Sequence, residues 1–225
     1  MKRITVLLAE DHQIVREGFR SLLKHERDIE VVGEAETGRQ AVQLTRKLQP
    51  EVVVMDIAMP LLNGLEATRQ IRKTFPDTKV LILSAHSDDA YVEQMVALGA
   101  AGFLLKQPSS HILATAIREV QKGHPFFSPG VAKRLRVRDQ KSLDRGGKFK
   151  RNNNRLSSRE VEVLQLIAEG KPNKQVAAEL GVTFKTVDKH RQHLMSKLDI
   201  HDVAGLTRYA IAEGIIESSV RVTVT

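Results

Sequence analysis

Five polar or charged side chains follow short apolar runs in the first half of the chain. They are three carboxylates, a hydroxyl and an amine, namely Glu10, Asp11, Asp56, Ser84 and Lys106. Carboxylates crowded together repel one another unless a cation joins them, and their oxygens suit Mg²⁺. The ion and the amine could then hold a phosphoryl group while one carboxylate attacks phosphorus to form an acyl phosphate. The five residue types therefore favour Mg²⁺-assisted phosphoryl chemistry.

This chemistry requires elements that bring the five residues together, because a lone acid after a strand is more often a turn or a helix cap. Apolar runs at residues 4–9, 31–35, 52–55, 80–83 and 102–105 alternate with amphipathic stretches at residues 12–24, 38–48, 64–73, 89–98 and 109–121. The alternation predicts an α/β doubly wound, five-stranded parallel sheet with crossover helices. Sites in such sheets lie beyond the carboxyl ends of the strands, so the five residues are expected at one rim.

Four sequence runs contain these residues: VLLAEDHQIVREG, VVMDIAMPLLNGLEA, VLILSAH and GAAGFLLK, in that order. Together they resemble the receiver domain of bacterial two-component response regulators, which has a flavodoxin-like fold, over residues 1–122. The resemblance implies that Asp56 accepts the phosphoryl group from a sensor histidine kinase. It also implies that Glu10 and Asp11 hold Mg²⁺, together with Asp56 and the carbonyl of Ala58.

The same resemblance assigns the remaining groups of the receiver site. Ser84 and Lys106 would contact the phosphoryl oxygens, and Ser84 would act as a switch residue. Phe103 stands at the position of the family's switch aromatic. It carries no hydroxyl, so it is expected to act by packing alone. Beyond Mg²⁺-dependent self-phosphorylation and slow self-dephosphorylation, no enzyme activity is expected.

The net charge of +8 is concentrated in the middle of the chain. Residues 123–154 carry nine basic and two acidic side chains, whereas residues 1–122 are neutral overall. Such a block invites a polyanion, most often DNA, although a flexible linker that binds nothing is an equally good interpretation of charge alone. The basic residues expected to follow DNA phosphates are Lys141, Arg145, Lys148, Lys150 and Arg151.

A second domain is expected after the three asparagines at residues 152–154. Ser157 and Glu160 form a capping-box pattern at the start of a first helix. Two further helices are predicted at residues 174–180 and 184–198, with Asn173 and Thr183 as their caps and Gly181 in the turn between them. A short helix, a glycine turn and a longer helix are typical of the helix-turn-helix.

Residues 155–217 resemble the small all-α, four-helix DNA-binding domain of the LuxR type, followed by a tail at residues 218–225. The whole chain is similar to NarL/FixJ response regulators. The resemblance implies that the domain binds double-stranded promoter DNA, with base contacts from Asp188, Lys189 and Gln192. Phosphate contacts are implied for Lys185, Thr186 and Arg191. Asp188 replaces a basic residue often found at that position, so it is expected to accept a hydrogen bond from cytosine.

The expected assembly is a homodimer formed on phosphorylation, with RNA polymerase as a further candidate partner. The chain has no cysteine and no apolar run of about 20 residues, so a cytoplasmic location without membrane contact is expected. His12 and His190 are interpreted as a helix start and a packing residue. Three alternatives stay open: an enzyme on the same scaffold, a small-molecule sensor, and a constitutive DNA-binding regulator whose receiver only dimerises. The enzyme lacks support, because neither Gly-x-Gly-x-x-Gly nor Gly-Lys-Ser/Thr occurs.

Overall fold

The computed structural model describes residues 2–84, 95, 98–106, 110–127 and 156–216. The chain divides into two compact units, Met1–Arg151 and Asn152–Thr225. The helix predicted at residues 89–98 lies outside the described residues, except for Met95 and Leu98. The five linker cations and the tail at residues 218–225 lie outside them as well.

The first unit is a parallel sheet with helices on both faces. Its elements are β1 (Ile4–Ala9), α1 (Gln13–Lys24), β2 (Ile29–Ala35), α2 (Gly38–Leu48), β3 (Val52–Asp56), α3 (Gly64–Thr74), β4 (Lys79–Ser84), β5 (Gly102–Leu105), α4 (Ser110–Gln121) and β6 (Phe126–Phe127). The strand order is β2-β1-β3-β4-β5-β6, and every neighbouring pair is parallel. This confirms the predicted doubly wound topology.

Among the described residues the sheet has six strands, which are the five predicted and one more. The additional strand, β6, pairs with β5 through Gly102 and Phe126 and through Phe103 and Phe127. A Cβ atom at Gly102 would lie 2.5 Å from the Phe126 carbonyl oxygen, so the glycine permits this close approach. Two residues are too short a run to show an alternating pattern, and β6 also extends the sheet beyond residue 122.

The inner strands of the first unit bury side chains on both faces. In β1, Leu7 and Ala9 enter one apolar cluster, whereas Val6 and Leu8 enter the other. The strand β3 divides in the same way, with Met55 in the first cluster and Val54 in the second. Burying each such side chain contributes about 1.5–3 kcal/mol. The sheet is therefore a rigid support for the residues at its strand ends.

The described residues of the second unit form four helices, as predicted. They are α5 (Ser158–Ala168), α6 (Asn173–Leu180), α7 (Phe184–Leu198) and α8 (Val203–Ala212). The capping box of Ser157 and Glu160 is confirmed at the start of α5. Gly181 ends α6 with φ of 61°, a left-handed conformation that glycine adopts without strain. Thr183 caps α7, as predicted, by accepting a hydrogen bond from the Thr186 amide.

The cap predicted for α6 is wrong. Pro172 is the N-cap residue, with no side-chain hydrogen bond, and Asn173 is already the first helical residue. The Asn173 side chain instead accepts a hydrogen bond from Arg191 of α7, at 3.1 Å. The proline side chain has no hydrogen-bond acceptor, so the chain enters the helix at φ −68° without a polar cap.

An apolar core joins the four helices of the second unit. Its fully buried members include Val163, Leu164, Leu166, Val176, Val187, Leu194, Leu206 and Ala210. Val187 and Leu194 belong to α7, so this helix packs on the core through one side only. In the described part of the chain, no helix combines the length and apolar character that crossing a membrane requires.

Candidate functional site

Three parallel strands bring Glu10, Asp56 and Lys106 together at one rim of the sheet. Glu10 follows β1, Asp56 ends β3 and Lys106 follows β5. The Lys106 Nζ atom lies 3.0 Å from Asp56 Oδ1 and 3.0 Å from Glu10 Oε2. The prediction that these strand ends meet is confirmed for these three side chains.

Two carboxylates of this site, those of Glu10 and Asp56, are buried, and the charge of each affects the other. Asp56 is 1% exposed and Glu10 is 2% exposed. Burial and the nearby Glu10 charge raise the pKa of Asp56 to about 7, although Lys106 acts in the opposite direction. Burial alone would lower the pKa of Lys106, but Asp56 and Glu10 outweigh it and raise that pKa. One lysine therefore does not balance the negative charge.

The buried oxygens of this site fit a divalent cation. Among the residues described, Asp56 Oδ2 is buried without a hydrogen-bond partner, an arrangement that costs free energy. Asp11, which is partly exposed, offers a carboxylate within 4.8 Å of a Glu10 carboxylate oxygen. Oxygen ligands of this kind suit a hard ion such as Mg²⁺. The acidic cluster thus has the chemistry that a magnesium site needs.

His12 contacts the carboxylates of Glu10 and Asp11. This contact was not predicted from the sequence. The His12 Nδ1 atom lies 2.9 Å from Asp11 Oδ1 and 3.1 Å from Glu10 Oε1. The backbone of His12 is the N-cap of α1, in agreement with the interpretation that it starts this helix. The available signal was its position directly after two acids in a strand-to-helix turn.

Arg16 is a second contributor that the sequence analysis missed. Its side chain is 8% exposed and donates hydrogen bonds to the Glu10 carbonyl at 2.6 Å and to Glu36 at 2.8 Å. A third bond joins it to Glu34 at 3.2 Å. Arg16 therefore ties the turn that carries Glu10 to the end of β2. A signal was present, because Arg16 shares the apolar face of α1 with Phe19.

The loop after Asp56 is held against the strand end by a glycine. The Gly64 amide donates to the Ile57 carbonyl at 2.8 Å, and a Cβ atom at Gly64 would overlap the Asp56 carbonyl oxygen. Asn63 caps α3 by accepting a hydrogen bond from the Glu66 amide. Ala58 lies in this loop, half-buried and two residues beyond Asp56. A larger residue at position 64 would displace this loop.

The two expected switch residues are both buried. Ser84 ends β4, and its carbonyl accepts a hydrogen bond from the Lys106 amide at 2.7 Å. Phe103 lies in the middle of β5 within the apolar cluster that contains Met55 and Ile82. Ser84 is thus at the site, whereas Phe103 is part of the core beneath it.

The residues predicted to contact DNA lie on one helix, α7. Lys185, Lys189 and Gln192 are exposed, whereas Thr186, Asp188 and Arg191 are partly exposed. Four of the six have protein partners: Gln192 donates to Asp188 at 3.0 Å, Thr186 contacts the Thr183 hydroxyl at 2.9 Å, and Arg191 donates to Asn173. His190 is half-buried on the same helix.

An ion pair connects the end of α7 with the start of α5. Glu160 is buried and accepts hydrogen bonds from the Ser157 amide at 2.7 Å and from Lys197 Nζ at 2.6 Å. Burial alone would raise the pKa of Glu160, but the Lys197 and Ser157 hydrogen bonds outweigh it and lower that pKa. Sequence reasoning identified the capping box but missed Lys197, which is 37 residues away.

Comparisons with known proteins agree in both units. Residues 6–118 match the family described as response regulator receiver domain, and residues 154–210 match bacterial regulatory proteins of the luxR family. The chain is 40% identical to the transcriptional regulatory protein LiaR of Bacillus subtilis over 207 residues, which cover 92% of this chain and 96% of LiaR.

Solved structures give the same result. A structure of the Salmonella typhimurium RcsB response regulator is 28% identical, with a TM-score of 0.60, and the match covers 95% of this chain and 99% of RcsB. A second structure, of two RcsB dimers bound to two parallel DNAs, is 29% identical, with a TM-score of 0.56 over 92% of this chain and 98% of that one.

Proposed function

The chain belongs to the two-component response regulators that carry a receiver domain and a LuxR-type DNA-binding domain, and we propose that phosphorylation of Asp56 controls its binding to promoter DNA. The observation that carries this proposal is the contact of Lys106 with both Asp56 and Glu10 at the rim of the sheet. A buried carboxylate beside an amine and further carboxylates is suited to accept a phosphoryl group. The proposed donor is a sensor histidine kinase.

Glu10, Asp11, Asp56 and the Ala58 carbonyl are the groups that would hold Mg²⁺. When bound there, the ion supplies positive charge that keeps Asp56 ionised and offsets the charge of the phosphoryl group. Ionisation matters because an Asp56 with a pKa of about 7 is largely protonated in mildly acidic solution and then is a poor nucleophile.

The transfer itself uses the side chains of the rim. An Asp56 oxygen forms a bond to phosphorus as the bond between phosphorus and the donor's histidine nitrogen breaks. Lys106, at 3.0 Å from Asp56 Oδ1, moves its hydrogen bond to a phosphoryl oxygen. Ser84 donates a hydrogen bond from its hydroxyl to another phosphoryl oxygen, and its place beside Lys106 in the sheet supports this role.

Phosphorylation changes the charge at this rim and thereby favours a second state. It adds a charge of about −1.5 to −2 and three strong acceptors. Ser84 moves toward the phosphoryl group, and Phe103, which lies beneath the rim in β5, repacks. We take the favoured state to be a homodimer, since one helix-turn-helix buries little surface and two half-sites double it. The RcsB dimers bound to DNA support this arrangement.

Contacts to DNA are assigned to α7. The base contacts are Asp188, Lys189 and Gln192, and the phosphate contacts are Lys185, Thr186 and Arg191. The exposure of Lys185 and Lys189 supports this division, because both can reach a neighbouring polyanion without moving the core. To contact a phosphate, Arg191 would have to break its hydrogen bond to Asn173 or use another of its N–H groups.

Treatment of the full chain with acetyl phosphate and Mg²⁺ tests the proposal. We expect covalent labelling, conversion of monomer to dimer in sedimentation, and tighter binding to a duplex selected from a random pool. An unlabelled chain would refute the phosphorylation step. A labelled chain that stays monomeric in sedimentation and binds DNA with unchanged affinity would refute the switch and support a constitutive regulator.

A further inference from the structure

Phe184 is a large apolar side chain exposed at the start of α7. It is the first residue of this helix, directly after the Thr183 cap, and it is 57% exposed. Single exposed apolar residues are common and need no explanation by themselves. The position of Phe184 is what gives it meaning, because a recognition helix contacts base edges in the major groove with its N-terminal residues.

Phe184 continues the row of side chains already assigned to base contact. Phe184, Asp188 and Gln192 are spaced by four residues, so they lie one above another along α7. Lys185 and Lys189 are exposed beside this row. Their positive charge favours a polyanion over another apolar protein surface, and therefore supports DNA as the partner of the Phe184 side chain.

The row presents a defined pattern of chemical groups. Gln192 donates one of its two amide N–H groups to Asp188 Oδ2 at 3.0 Å, which leaves Asp188 Oδ1 and the Gln192 amide oxygen as acceptors for a base. Acceptors in the major groove match the amino groups of cytosine and adenine. Phe184 has no polar atom, and the apolar group that the major groove offers is the C5 methyl of thymine. Asp188 and Gln192 would then recognise the amino group of one base, and Phe184 would contact the methyl group of a thymine beside it.

We propose that Phe184 contacts the C5 methyl group of a thymine next to the base that Asp188 and Gln192 read. This inference rests on the proposed DNA-binding function. It adds a specificity-determining residue at position 184 and names the chemical group that it recognises. It also explains why an aromatic side chain can remain in water at this position, since DNA covers it only in the bound state.

Replacement of thymine by uracil tests the inference, because uracil lacks only the methyl group. The probe is a duplex selected from a random pool by the phosphorylated full chain, with each thymine replaced in turn. At one thymine per half-site we expect the affinity to fall about fourfold, the factor that corresponds to burying one methyl group. F184A should bind the thymine and uracil duplexes equally, and F184L should keep part of the difference.

The matched control is I211A, which truncates another exposed apolar side chain of the same unit, in α8. It should keep the full penalty for uracil. A wild-type chain that ignores every uracil substitution, or an F184A variant that keeps the penalty, overturns the inference while leaving DNA binding intact. Failure to select any duplex at all would instead refute the proposed function.

Discussion

The rim of the sheet and the face of α7 are built in opposite ways. At the rim, β1, β3 and β5 each contribute one group, and the carboxylates of Glu10 and Asp56 are buried. On α7, a single helix supplies all the groups, and none of them is buried. A buried site assembled from several strands depends on the whole sheet, whereas an exposed row depends on one helix and on the core that holds it.

The two designs differ in how strongly their members influence one another. Asp56 has a raised pKa because Glu10 and burial act on it, and Lys106 acts against them. Removing one of these groups therefore changes the others. Lys185 and Lys189 are both exposed, so solvent and salt screen their influence on each other. Substitutions should be strongly non-additive at the rim and close to additive on α7.

The largest expected effect is the loss of phosphorylation in Asp56→Asn. The amide is not a nucleophile toward phosphorus, so labelling by acetyl phosphate with Mg²⁺ should disappear, as measured by intact mass. The matched control is Asp77→Asn, an exposed acid of the same unit, which should label like the wild type. Full labelling of the Asp56 variant would show that another residue is the acceptor. The rim of the sheet could then no longer be compared with α7 as a functional site.

A pair of glycines gives the next largest effect. Gly64→Ala should destabilise the first unit by about 3 kcal/mol, since its Cβ would overlap the Asp56 carbonyl oxygen and the backbone must shift. Gly18 lies in the middle of α1, and a Cβ atom added there would meet no neighbouring atom within 4 Å. Gly18→Ala should therefore stabilise the first unit by about 0.5–1 kcal/mol. Urea unfolding measures both changes. Equal effects from the two variants would mean that the loop after β3 is not tightly fitted.

On α7 the expected losses are smaller and separable. Lys189→Ala should weaken DNA binding by about 1–3 kcal/mol and relax the preference at one base position. Lys185→Ala should weaken binding to all duplexes alike and make the dependence on salt shallower. The double variant should show the sum of the two losses. A uniform loss from both single variants would contradict base reading by Lys189.

The smallest effect concerns the ion pair that supports α7. The pKa of Glu160 is held below its ordinary value of 4.5, so its contribution to stability is present above that value and is lost as the pH falls through the folded pKa. Glu160→Gln should cost about 1 kcal/mol at neutral pH and flatten the acid dependence.

Hydrogen exchange of the full chain, followed in residues 156–216, measures this stability. The control is Glu179→Gln, because Glu179 is exposed in the same unit. This change should leave both the stability at neutral pH and its acid dependence unchanged. An unaltered acid profile in Glu160→Gln would assign the loss of stability at low pH to other carboxylates.

The sequence predicted the elements well where apolar periodicity is strong. The runs at residues 4–9 and 102–105 match β1 and β5, and the rim residues follow from parallel strand order. Contacts between distant side chains could not be predicted in this way. Arg16 meets Glu34 and Glu36, and Lys197 meets Glu160, only after the helices have packed. The cap of α6 failed for a local reason, because Pro172 takes the position expected for Asn173.

The Arg16 contacts also bear on the order in which the first unit folds. Its partners lie 6, 18 and 20 residues away along the chain, whereas Lys106 and Glu10 are 96 residues apart. Closing a short loop costs less entropy than closing a long one, so we expect β1, α1 and β2 to associate first. Pulse-labelled hydrogen exchange during refolding would detect their early protection. A chain leaving the ribosome would then hold its acidic turn in place before the lysine has been synthesised.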